Sequence, residues 1–225
     1  MKLFVNGYGK MGRMIENIIL SEGYEYAGWS EDVQSVDPAL AKECVCIDFT
    51  APDAFRANYK FLAENFAAVV VGTTGWYDIR EQVVEYFKKC GTTMIWASNF
   101  SIGVNVFFAA VKYISALVGK TGAGYSPYIV EMHHCHKKDA PSGTAKTLAE
   151  LVGEGMGIVP EIQSVRCGEI PGIHTVGLEG GCDRITLSHE AFSREGFARG
   201  AVRAALMAQS LTGVYEFNEL IFKDL

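Results

Sequence analysis

The sequence lacks several features that would place it in a specialised class of protein. Its 225 residues contain no C-x-x-C pair, so neither a zinc ribbon nor a dithiol redox motif is present, and no internal repeat or low-complexity tract is found. Basic side chains do not predominate. The 20 Lys and Arg stand against 26 Asp and Glu, and the resulting net charge of −6 argues against a nucleic-acid partner.

Clean apolar runs and a secretory signal are also missing. The most apolar region, residues 102–118, contains Gly103, Asn105 and Lys112, which we interpret as interruptions that exclude a membrane span of about 20 residues. The N-terminal segment has neither a long apolar core nor a cleavage site of small residues. We therefore expect a cytoplasmic protein with no membrane partner.

Cysteine occurs six times, without the spacing of a metal site. The chain is long enough to build a hydrophobic core without disulfides. We expect most of the thiols to be buried and to behave as small hydrophobic side chains. They are Cys44, Cys46, Cys90, Cys135, Cys167 and Cys182.

The first half of the chain alternates short apolar runs with helical patterns. The patterns predict strands at 3–5, 24–29, 45–49, 67–71 and 93–97, and helices from 11 to about 23, from 52 to about 65 and from 78 to 90. Strands and helices that alternate at this spacing are typical of an α/β fold with a parallel sheet and right-handed crossovers.

The second half has fewer helical patterns between its strands. We predict helices at 102–118, 142–152 and 197–209, a glycine-rich break at 121–124, and a strand at 129–134. Apolar and polar residues alternate over 184–189, which predicts an antiparallel strand with one open face. This half therefore reads as an α+β domain, and its uncovered sheet face favours an oligomer interface.

Gly7, Gly9 and Gly12 fit the pattern G-x-G-x-x-G between a predicted strand and a predicted helix. Such glycines allow a tight turn, close approach of a pyrophosphate, and close packing of helix against strand. Glu31 lies 19 residues after Gly12, where a carboxylate binds the adenosine ribose. The alternative is a tight turn without a ligand, but the flanking pattern and Glu31 favour a dinucleotide site.

Residues 131–145 hold three histidines, two lysines and a predicted helix start. His133 is suited to moving a proton, and His134 or Lys137 to holding a carboxylate. The helix start at Ser142, Gly143 and Thr144 offers backbone N–H groups for a second carboxylate. Two alternatives are a zinc site made by the histidines with Cys135 and a solvated polar strand end; we predict no metal.

This segment, His133-His134-x-His136-Lys137-x-Asp139-Ala140-Pro141-Ser142-Gly143-Thr144-Ala145, resembles the signature of the dihydrodipicolinate reductase family, which acts in lysine and diaminopimelate biosynthesis. The likeness covers nearly the whole chain. It includes GKMG at 9–12, IDFT at 47–50, GTTG at 72–75, NFSIGVN at 99–105, G-x-HTV at 172–176 and SR-x-x-FA-x-GA at 193–201.

The resemblance implies a fold and a set of roles. It implies a Rossmann-type dinucleotide-binding domain from 1–101 and 194–225, and a substrate-binding and tetramerisation domain with an open mixed sheet from 102–193. His133 and Lys137 would be catalytic, and His134, Ser142, Gly143 and Thr144 would bind substrate. The cofactor-binding residues would be Gly7, Tyr8, Gly9, Lys10, Met11, Gly12, Glu31, Gly72, Thr73, Thr74, Ala97, Ser98, Asn99 and Phe100.

The implied reaction is a hydride transfer from NADH or NADPH to a small cyclic dicarboxylate, followed by protonation, in a homotetramer. Whether the substrate is the hydroxylated or the dehydrated form stays open. Two positions depart from the family. Cys135 stands where arginine is common, and Asp32 follows Glu31 where longer members often carry arginine. Two adjacent carboxylates would repel a 2′-phosphate, so we expect NADH to be preferred.

Three other functions compete with this one. A different Rossmann reductase of amino-acid metabolism is disfavoured by the segment from His133 to Thr144. A cofactor sensor without activity is disfavoured because His133 and Lys137 are both present. The third, a metal-dependent hydrolase built on the histidines, is testable by metal analysis.

Overall fold

The computed structural model describes residues 1–222, which form two compact units divided at Ser101/Ile102 and Arg194/Glu195. Unit 1 contains β1 (Lys2–Asn6), α1 (Lys10–Ser21), β2 (Tyr26–Ser30), α2 (Pro38–Ala41), β3 (Cys44–Asp48), α3 (Pro52–Asn65), β4 (Ala68–Val71), α4 (Arg80–Cys90), β5 (Thr93–Trp96) and, after unit 2, α7 (Glu195–Ala208), β10 (Val214–Glu216) and α8 (Phe217–Ile221). Unit 2 contains α5 (Ile102–Thr121), β6 (Ser126–His133), α6 (Gly143–Met156), β7 (Glu161–Arg166), β8 (Ile173–Glu179) and β9 (Arg184–Glu190).

The sheet of unit 1 is parallel, with the strand order β2-β1-β3-β4-β5-β10. The chain moves from β1 to β2 on one side and then returns to place β3 on the other. Loops that leave neighbouring strands in opposite directions open a crevice at the carboxyl edge, which is where such sheets bind ligands. The loops after β1 and β3 therefore flank the expected dinucleotide site.

Apolar side chains cover both faces of this sheet. Every residue of β3 and β4 is buried, as expected for strands with a helical layer on each side. One hydrophobic core includes residues of α1 and α7, and the other includes residues of α3 and α4. Helix α3 begins at Pro52 and ends at Asn65, so the bounds predicted for it are confirmed.

The sheet of unit 2 is mixed and has the order β7-β6-β8-β9. Strands β6 and β7 are parallel, whereas β8 pairs antiparallel with both β6 and β9. Helices α5 and α6 pack on one face. The two helices approach so closely that a Cβ on Gly119 would lie 2.2 Å from the carbonyl oxygen of Gly155. On β9, Ile185, Leu187 and His189 are half-buried and their neighbours exposed, which confirms the predicted alternation.

Several elements differ from the prediction. Strands β7, β8 and β10 and the short helices α2 and α8 were not predicted, because their residues show neither a long apolar run nor a clear period. On β7, for example, only Ile162 and Arg166 are half-buried and the other four residues are exposed. Helix α5 continues to Thr121 and helix α6 to Met156, so both are longer than predicted.

Helix α5 also corrects the expectation that no segment could span a membrane. It runs through Gly103, Asn105 and Lys112 without a break, and its 20 residues include a window with a mean hydropathy of 1.7. By length and composition alone it could cross a membrane. Its buried side packs against α6 and the sheet, with Phe107 and Val111 in the core, so we interpret it as the core helix of unit 2.

The prediction for the cysteines was wrong. Only Cys44 and Cys46 are buried, both on β3. The other four, Cys90, Cys135, Cys167 and Cys182, are exposed. The strand pattern identifies the first pair. Of the exposed thiols, Cys90 is the last residue of α4, and Cys135, Cys167 and Cys182 lie in loops next to strands.

Candidate active site

The glycines after β1 have the geometry that a dinucleotide loop requires. Gly7 has a φ of +89°, and a Cβ there would lie 2.5 Å from the carbonyl oxygen of Phe49. A Cβ on Gly12 would lie 2.1 Å from the carbonyl oxygen of Gly7, so this glycine brings α1 against the turn. A Cβ on Gly9 would meet nothing within 4 Å. Gly9 is also the N-cap of α1 and caps no N–H group, so the helix start is open to an anion.

Side chains around this loop form an aromatic stack. The Tyr8 ring stacks on Trp29 at a centroid distance of 4.0 Å, and the Arg13 guanidinium lies 5.4 Å from the Tyr8 centroid. The Tyr8 hydroxyl donates a hydrogen bond to Glu16. Lys10 is exposed and Met11 is half-buried. The loop therefore has one rigid side, made by Tyr8, and one open side at Gly9 and Lys10.

Glu31 and Asp32 follow directly after β2 and are both exposed. The Asp32 carboxylate accepts a hydrogen bond of 3.2 Å from the N–H of Gln34, which caps the 3₁₀ turn Val33–Ser35. The structure therefore places Glu31 at the carboxyl end of β2, where a ribose hydroxyl would be bound, and gives Asp32 a structural partner.

A fully buried carboxylate ties together the loops at the carboxyl edge of the sheet. Asp48 accepts hydrogen bonds from Asn6 Nδ2 at 2.6 Å, Thr73 Oγ1 at 2.5 Å and Thr50 Oγ1 at 3.1 Å. Burial raises the pKa of Asp48, although these donors oppose the shift. Thr73 Oγ1 in turn accepts from the N–H of Thr50 at 2.7 Å. The Thr73 side chain is therefore occupied, and contact with a cofactor would come from the backbone of this loop.

The remaining predicted cofactor residues lie in the same unit. A Cβ on Gly72 would lie 2.1 Å from the Phe49 ring, whereas Thr74 is exposed. After β5, Ala97 and Phe100 are buried, and Ser98 is exposed. Asn99 Oδ1 accepts a hydrogen bond of 2.8 Å from the N–H of Ser101, which shapes this loop. The side chains of Ala97 and Phe100 thus belong to the core, and Ser98 lies at the surface.

In unit 2, the predicted proton-transfer residue is held by a buried carboxylate. Glu131 and His133 lie two positions apart on β6 and point to the same face, and His133 Nδ1 contacts the Glu131 carboxylate. Arg166 of β7 donates from Nη1 and Nη2 to the two Glu131 oxygens at 3.0 and 2.6 Å. Burial opposes ionisation of Glu131, but Arg166, Ser164 and His133 lower its pKa to about 2.

A second histidine lies beside the first. The His174 ring on β8 is edge-on to the His133 ring at a centroid distance of 5.1 Å. Burial lowers the pKa of His133, against the opposing effect of Glu131, and burial together with His133 lowers the pKa of His174 to about 4. Both imidazoles are therefore neutral in the free protein at pH 7.

The start of α6 adjoins these imidazoles. Ser142 is the N-cap, and its Oγ accepts from the Ala145 N–H at 3.2 Å and lies 3.0 Å from His174 Nε2. The Ser142 N–H donates to Glu131 at 3.3 Å. Gly143 is exposed and Thr144 is half-buried, and helix geometry leaves their N–H groups without an intrahelical acceptor.

Lys137 and His134 follow β6 in the loop that leads to α6. Lys137 is largely covered, with 23% of its side chain exposed, and its ammonium group lies 2.8 Å from the Asp139 carboxylate. The backbone N–H of Lys137 donates to the His134 carbonyl at 3.1 Å. His134 is half-buried, and its Nδ1 is a buried atom without a hydrogen-bond partner. The loop thus carries a cation and an imidazole with one buried ring nitrogen that has no hydrogen-bond partner.

Comparison with known proteins identifies the family of both parts of the chain. Residues 1–100 match the family described as dihydrodipicolinate reductase, N-terminus, and residues 103–221 match dihydrodipicolinate reductase, C-terminus. The chain belongs to the dihydrodipicolinate reductase family.

Curated relatives in this family are named 4-hydroxy-tetrahydrodipicolinate reductase. The protein of Christiangramia forsetii is 36% identical, over 98% of each chain. The protein of Nitratidesulfovibrio vulgaris strain DP4 is 41% identical, over 72% of this chain and 68% of its own length. Membership of the family makes this chain an oxidoreductase, and its N-terminal domain is one that uses a nicotinamide cofactor.

Solved structures support the fold. A dipicolinate-bound dihydrodipicolinate reductase from Paenisporosarcina sp. TG-14 superposes with a TM-score of 0.80, at 20% identity, and covers 98% of this chain and 99% of that one. An amine dehydrogenase from Mycobacterium smegmatis superposes with a TM-score of 0.63 at 10% identity. The α/β fold, with a Rossmann-type parallel sheet and a second mixed sheet, is confirmed.

Three residues that contact each other or His133 in unit 2 were not predicted from the sequence to have a role. They are Glu131, Arg166 and His174. Glu131 carried a signal, because a carboxylate two positions before His133 on a strand faces the same way. His174 lies in the G-x-HTV motif of the family likeness, which gave it no role. Arg166 carried no signal, and only the pairing of β7 and β8 with β6 brings the two residues to Glu131.

Within residues 1–222, two groups of side chains have metal-ligand atoms within 4.8 Å of one another. In the first, Glu131, His133 and His174, the carboxylate already binds the Arg166 cation, which would repel a metal ion. In the second, all three residues are exposed: Cys135, His136 and Glu169. Neither group has the four protein ligands of a structural zinc site, and we assign no metal to them.

Proposed function

We propose that this protein catalyses the reduction of 4-hydroxy-tetrahydrodipicolinate, or of its dehydrated form dihydrodipicolinate, to tetrahydrodipicolinate in lysine and diaminopimelate biosynthesis. The observation that carries the proposal is the cluster of unit 2. A buried, oriented imidazole, a lysine ammonium group and an open helix start lie on one short stretch of chain. Such a cluster suits a small dicarboxylate that must be aligned and then protonated.

The carboxylates of the substrate have distinct partners in this proposal. The N–H groups of Gly143 and Thr144 and the positive end of α6 bind one carboxylate. The half-buried ring of His134, in the same loop as Lys137, binds the second carboxylate. Two fixed carboxylates align the ring in a single orientation, which lowers the entropic cost of the reaction.

Proton transfer falls to Lys137 and His133. Lys137 is cationic and held by Asp139, so it can donate a proton to the ring atom that gains negative charge. His133 is neutral in the free protein. A dianionic substrate beside it favours the imidazolium form, so His133 takes up a proton on binding and serves as donor or acceptor.

The nicotinamide cofactor fits unit 1. Gly9 leaves space for a pyrophosphate beside the uncapped start of α1, and Glu31 stands where it binds the ribose. The loops at 72–74 and 97–100 supply backbone groups for the nicotinamide half. When bound, the reduced cofactor supplies the hydride.

A coupled assay tests the reaction. The substrate is made in the cuvette from pyruvate and aspartate semialdehyde by the preceding enzyme of the pathway, and oxidation of NADH or NADPH is followed by absorbance. Oxidation that requires the coupling enzyme supports the proposal. Cofactor binding without oxidation of either cofactor would leave a dinucleotide-binding protein with a different substrate.

We also propose that NADH is preferred to NADPH. Glu31 and Asp32 are adjacent carboxylates at the end of β2, and both would repel a 2′-phosphate. Asp32→Arg is expected to shift kcat/KM toward NADPH by about tenfold, and Asp32→Asn, which retains the cap on Gln34, by less. A wild-type protein that binds NADPH clearly more tightly would contradict this preference.

We propose, finally, a cytoplasmic homotetramer that associates through the uncovered face of the unit 2 sheet. Tyr128, Val130 and Met132 alternate with the buried residues of β6 and lie on that face, next to the exposed Val165 of β7. Sedimentation analysis of wild type and Val130→Lys tests the assembly. A wild-type monomer would contradict it.

A further inference from the structure

Glu131 is the shared acceptor of three polar groups in unit 2, which belong to His133, Ser142 and Arg166. It is fully buried, and its carboxylate contacts groups from β6, β7 and the start of α6. Of these groups, His133 is the one with a proposed role in chemistry. The contacts therefore connect a buried ion pair to the proton-transfer residue.

We propose that Glu131 and Arg166 are positioning residues for His133: the carboxylate keeps a proton on Nδ1, and the guanidinium fixes the carboxylate, so that Nε2 alone exchanges a proton. The proposal deepens the proposed function and rests on it for its catalytic consequence. Its structural part concerns the free protein and is testable without substrate.

The tautomer follows from the donor and acceptor inventory. An ionised carboxylate can only accept, so the Nδ1 atom that contacts Glu131 must carry the proton. Glu131 stays ionised because Arg166 donates to both of its oxygens in a bidentate arrangement. The second ring nitrogen, Nε2, is then the basic one.

A glycine lies against the Nε2 side of the ring. A Cβ on Gly172 would lie 3.1 Å from His133 Nε2 and 3.4 Å from its Cδ2. The backbone of Gly172 has a φ of +157°, which L side chains rarely adopt. A larger residue would therefore crowd the atom that the proposal assigns to proton exchange.

The charged and titratable groups around His133 act in opposite directions. Glu131 on β6 raises the pKa of His133, whereas Arg166 on β7 and Lys137 in the following loop lower it. His174 on β8 contacts the ring but is itself neutral at pH 7. Removal of Glu131 or of Arg166 should therefore move the proton affinity of His133 in opposite directions. General damage to the fold would not give opposite signs.

The experiment is an NMR titration of the free protein with ring-labelled histidine, in which His133→Asn assigns the signal. We expect the Nδ1–H tautomer in the wild type. Glu131→Gln should weaken proton binding at His133 by about tenfold, and Arg166→Met should strengthen it by less, about threefold, because Arg166 acts on the ring more weakly than Glu131. Glu161→Gln, an exposed carboxylate on β7, is the matched control and should change nothing.

A double variant, Glu131→Gln with Arg166→Met, guards against failure of a single variant to fold, because it leaves no buried charge unpaired. Its His133 should bind a proton more weakly than in the wild type, because Glu131 raises the pKa of His133 more than Arg166 lowers it. Shifts of the same sign in both single variants, no shift in either, or an Nε2–H tautomer in the wild type would overturn the proposal.

Activity measurements separate this proposal from the proposed function. The limb of the kcat profile that reports His133 should move to lower pH in Glu131→Gln and to higher pH in Arg166→Met, with the KM for NADH unchanged. Opposite NMR shifts in a protein without reductase activity would retain the positioning role and refute the reaction. An active reductase in which neither substitution shifts the His133 signal would support the reaction and refute the positioning role.

Discussion

Each unit has a fully buried carboxylate at its candidate site, but the two carboxylates are surrounded differently. In unit 1, Asp48 accepts only from neutral donors, the Asn6 amide and the hydroxyls of Thr50 and Thr73, and burial raises its pKa. In unit 2, Glu131 accepts from the Arg166 guanidinium and contacts His133, and its pKa falls to about 2.

The difference shows that burial alone does not decide the charge of an acid. Without a cation nearby, burial makes ionisation costly, and the Asp48 cluster is best suited to holding loops in place. With a bidentate arginine, the acid is a fixed negative charge that can orient an imidazole. In the proposed function, unit 1 thus offers backbone groups to the cofactor, and unit 2 offers charged side chains to the substrate.

The largest expected effect separates chemistry from cofactor binding. Lys137→Ala should lower kcat by roughly 10² to 10⁴-fold, because the proton donor is lost, and should leave the NADH Kd within about twofold. Turnover and a fluorescence titration with NADH measure the two quantities. Lys138→Ala, at the exposed neighbouring lysine, is the matched control. Loss of NADH binding with turnover retained would place Lys137 in the cofactor site instead.

Removal of the two buried carboxylates, one at a time, should lower the free energy of unfolding by different amounts. Glu131→Ala leaves Arg166 without its charge partner and should cost about 3–5 kcal/mol in the free energy of unfolding. Asp48→Ala leaves neutral donors unpaired and should cost roughly 2 kcal/mol.

All three tryptophans lie in unit 1, so their fluorescence follows that unit, and hydrogen exchange of β6 and β8 peptides follows unit 2. A larger loss from Asp48→Ala than from Glu131→Ala would contradict the comparison.

Acid should affect the two units with opposite sign. His174 has a pKa of about 4 in the folded protein because burial and His133 disfavour its charged form. Its contribution to stability is therefore complete above pH 6.5 and is lost as the pH falls toward 4, by up to about 3 kcal/mol. Asp48 has a raised pKa, so the folded state binds its proton more readily and mild acid favours unit 1.

Hydrogen exchange of β8 and β3 peptides at pH 7 and pH 4.5 measures this difference. His174→Asn should flatten the response of unit 2. Equal protection of β8 at both values of pH in the wild type would show that His174 does not titrate as described.

The smallest effect concerns the glycine loop. Gly9→Ala has open space for its methyl group and should leave Tm within about 2 °C, but it should raise the NADH Kd about tenfold because the methyl occupies the approach of the pyrophosphate. Gly12→Ala meets the Gly7 carbonyl at 2.1 Å and should lower both stability and binding. NADH binding unchanged in Gly9→Ala would show that the cofactor does not approach this glycine.

The accuracy of the sequence predictions followed the strength of the local signal. The bounds of α3 could be predicted because Pro52 begins it and a period of 3.6 follows. The alternation on β9 was also strong enough to place its half-buried face. On β7, Gln163, Ser164 and Val165 are all exposed, so no period marks the strand. Glu131 was not among the predicted site residues, because the neighbouring histidines already account for proton transfer and carboxylate binding.

The sequence by itself determined the family, the glycine loop and the segment from His133 to Thr144. Each motif that identifies them consists of residues close together in the chain. Only the tertiary structure decided what those residues contact. The Arg166 fork on Glu131 spans 35 positions, and the contact between Ser142 and His174 spans 32. Strand pairing brings Arg166 to Glu131, and the start of α6 brings Ser142 to His174 on β8. Both contacts depend on the register of the whole sheet. The identity of the proposed proton-transfer residue is thus a local property of this chain, whereas its tautomer and proton affinity are properties of the fold.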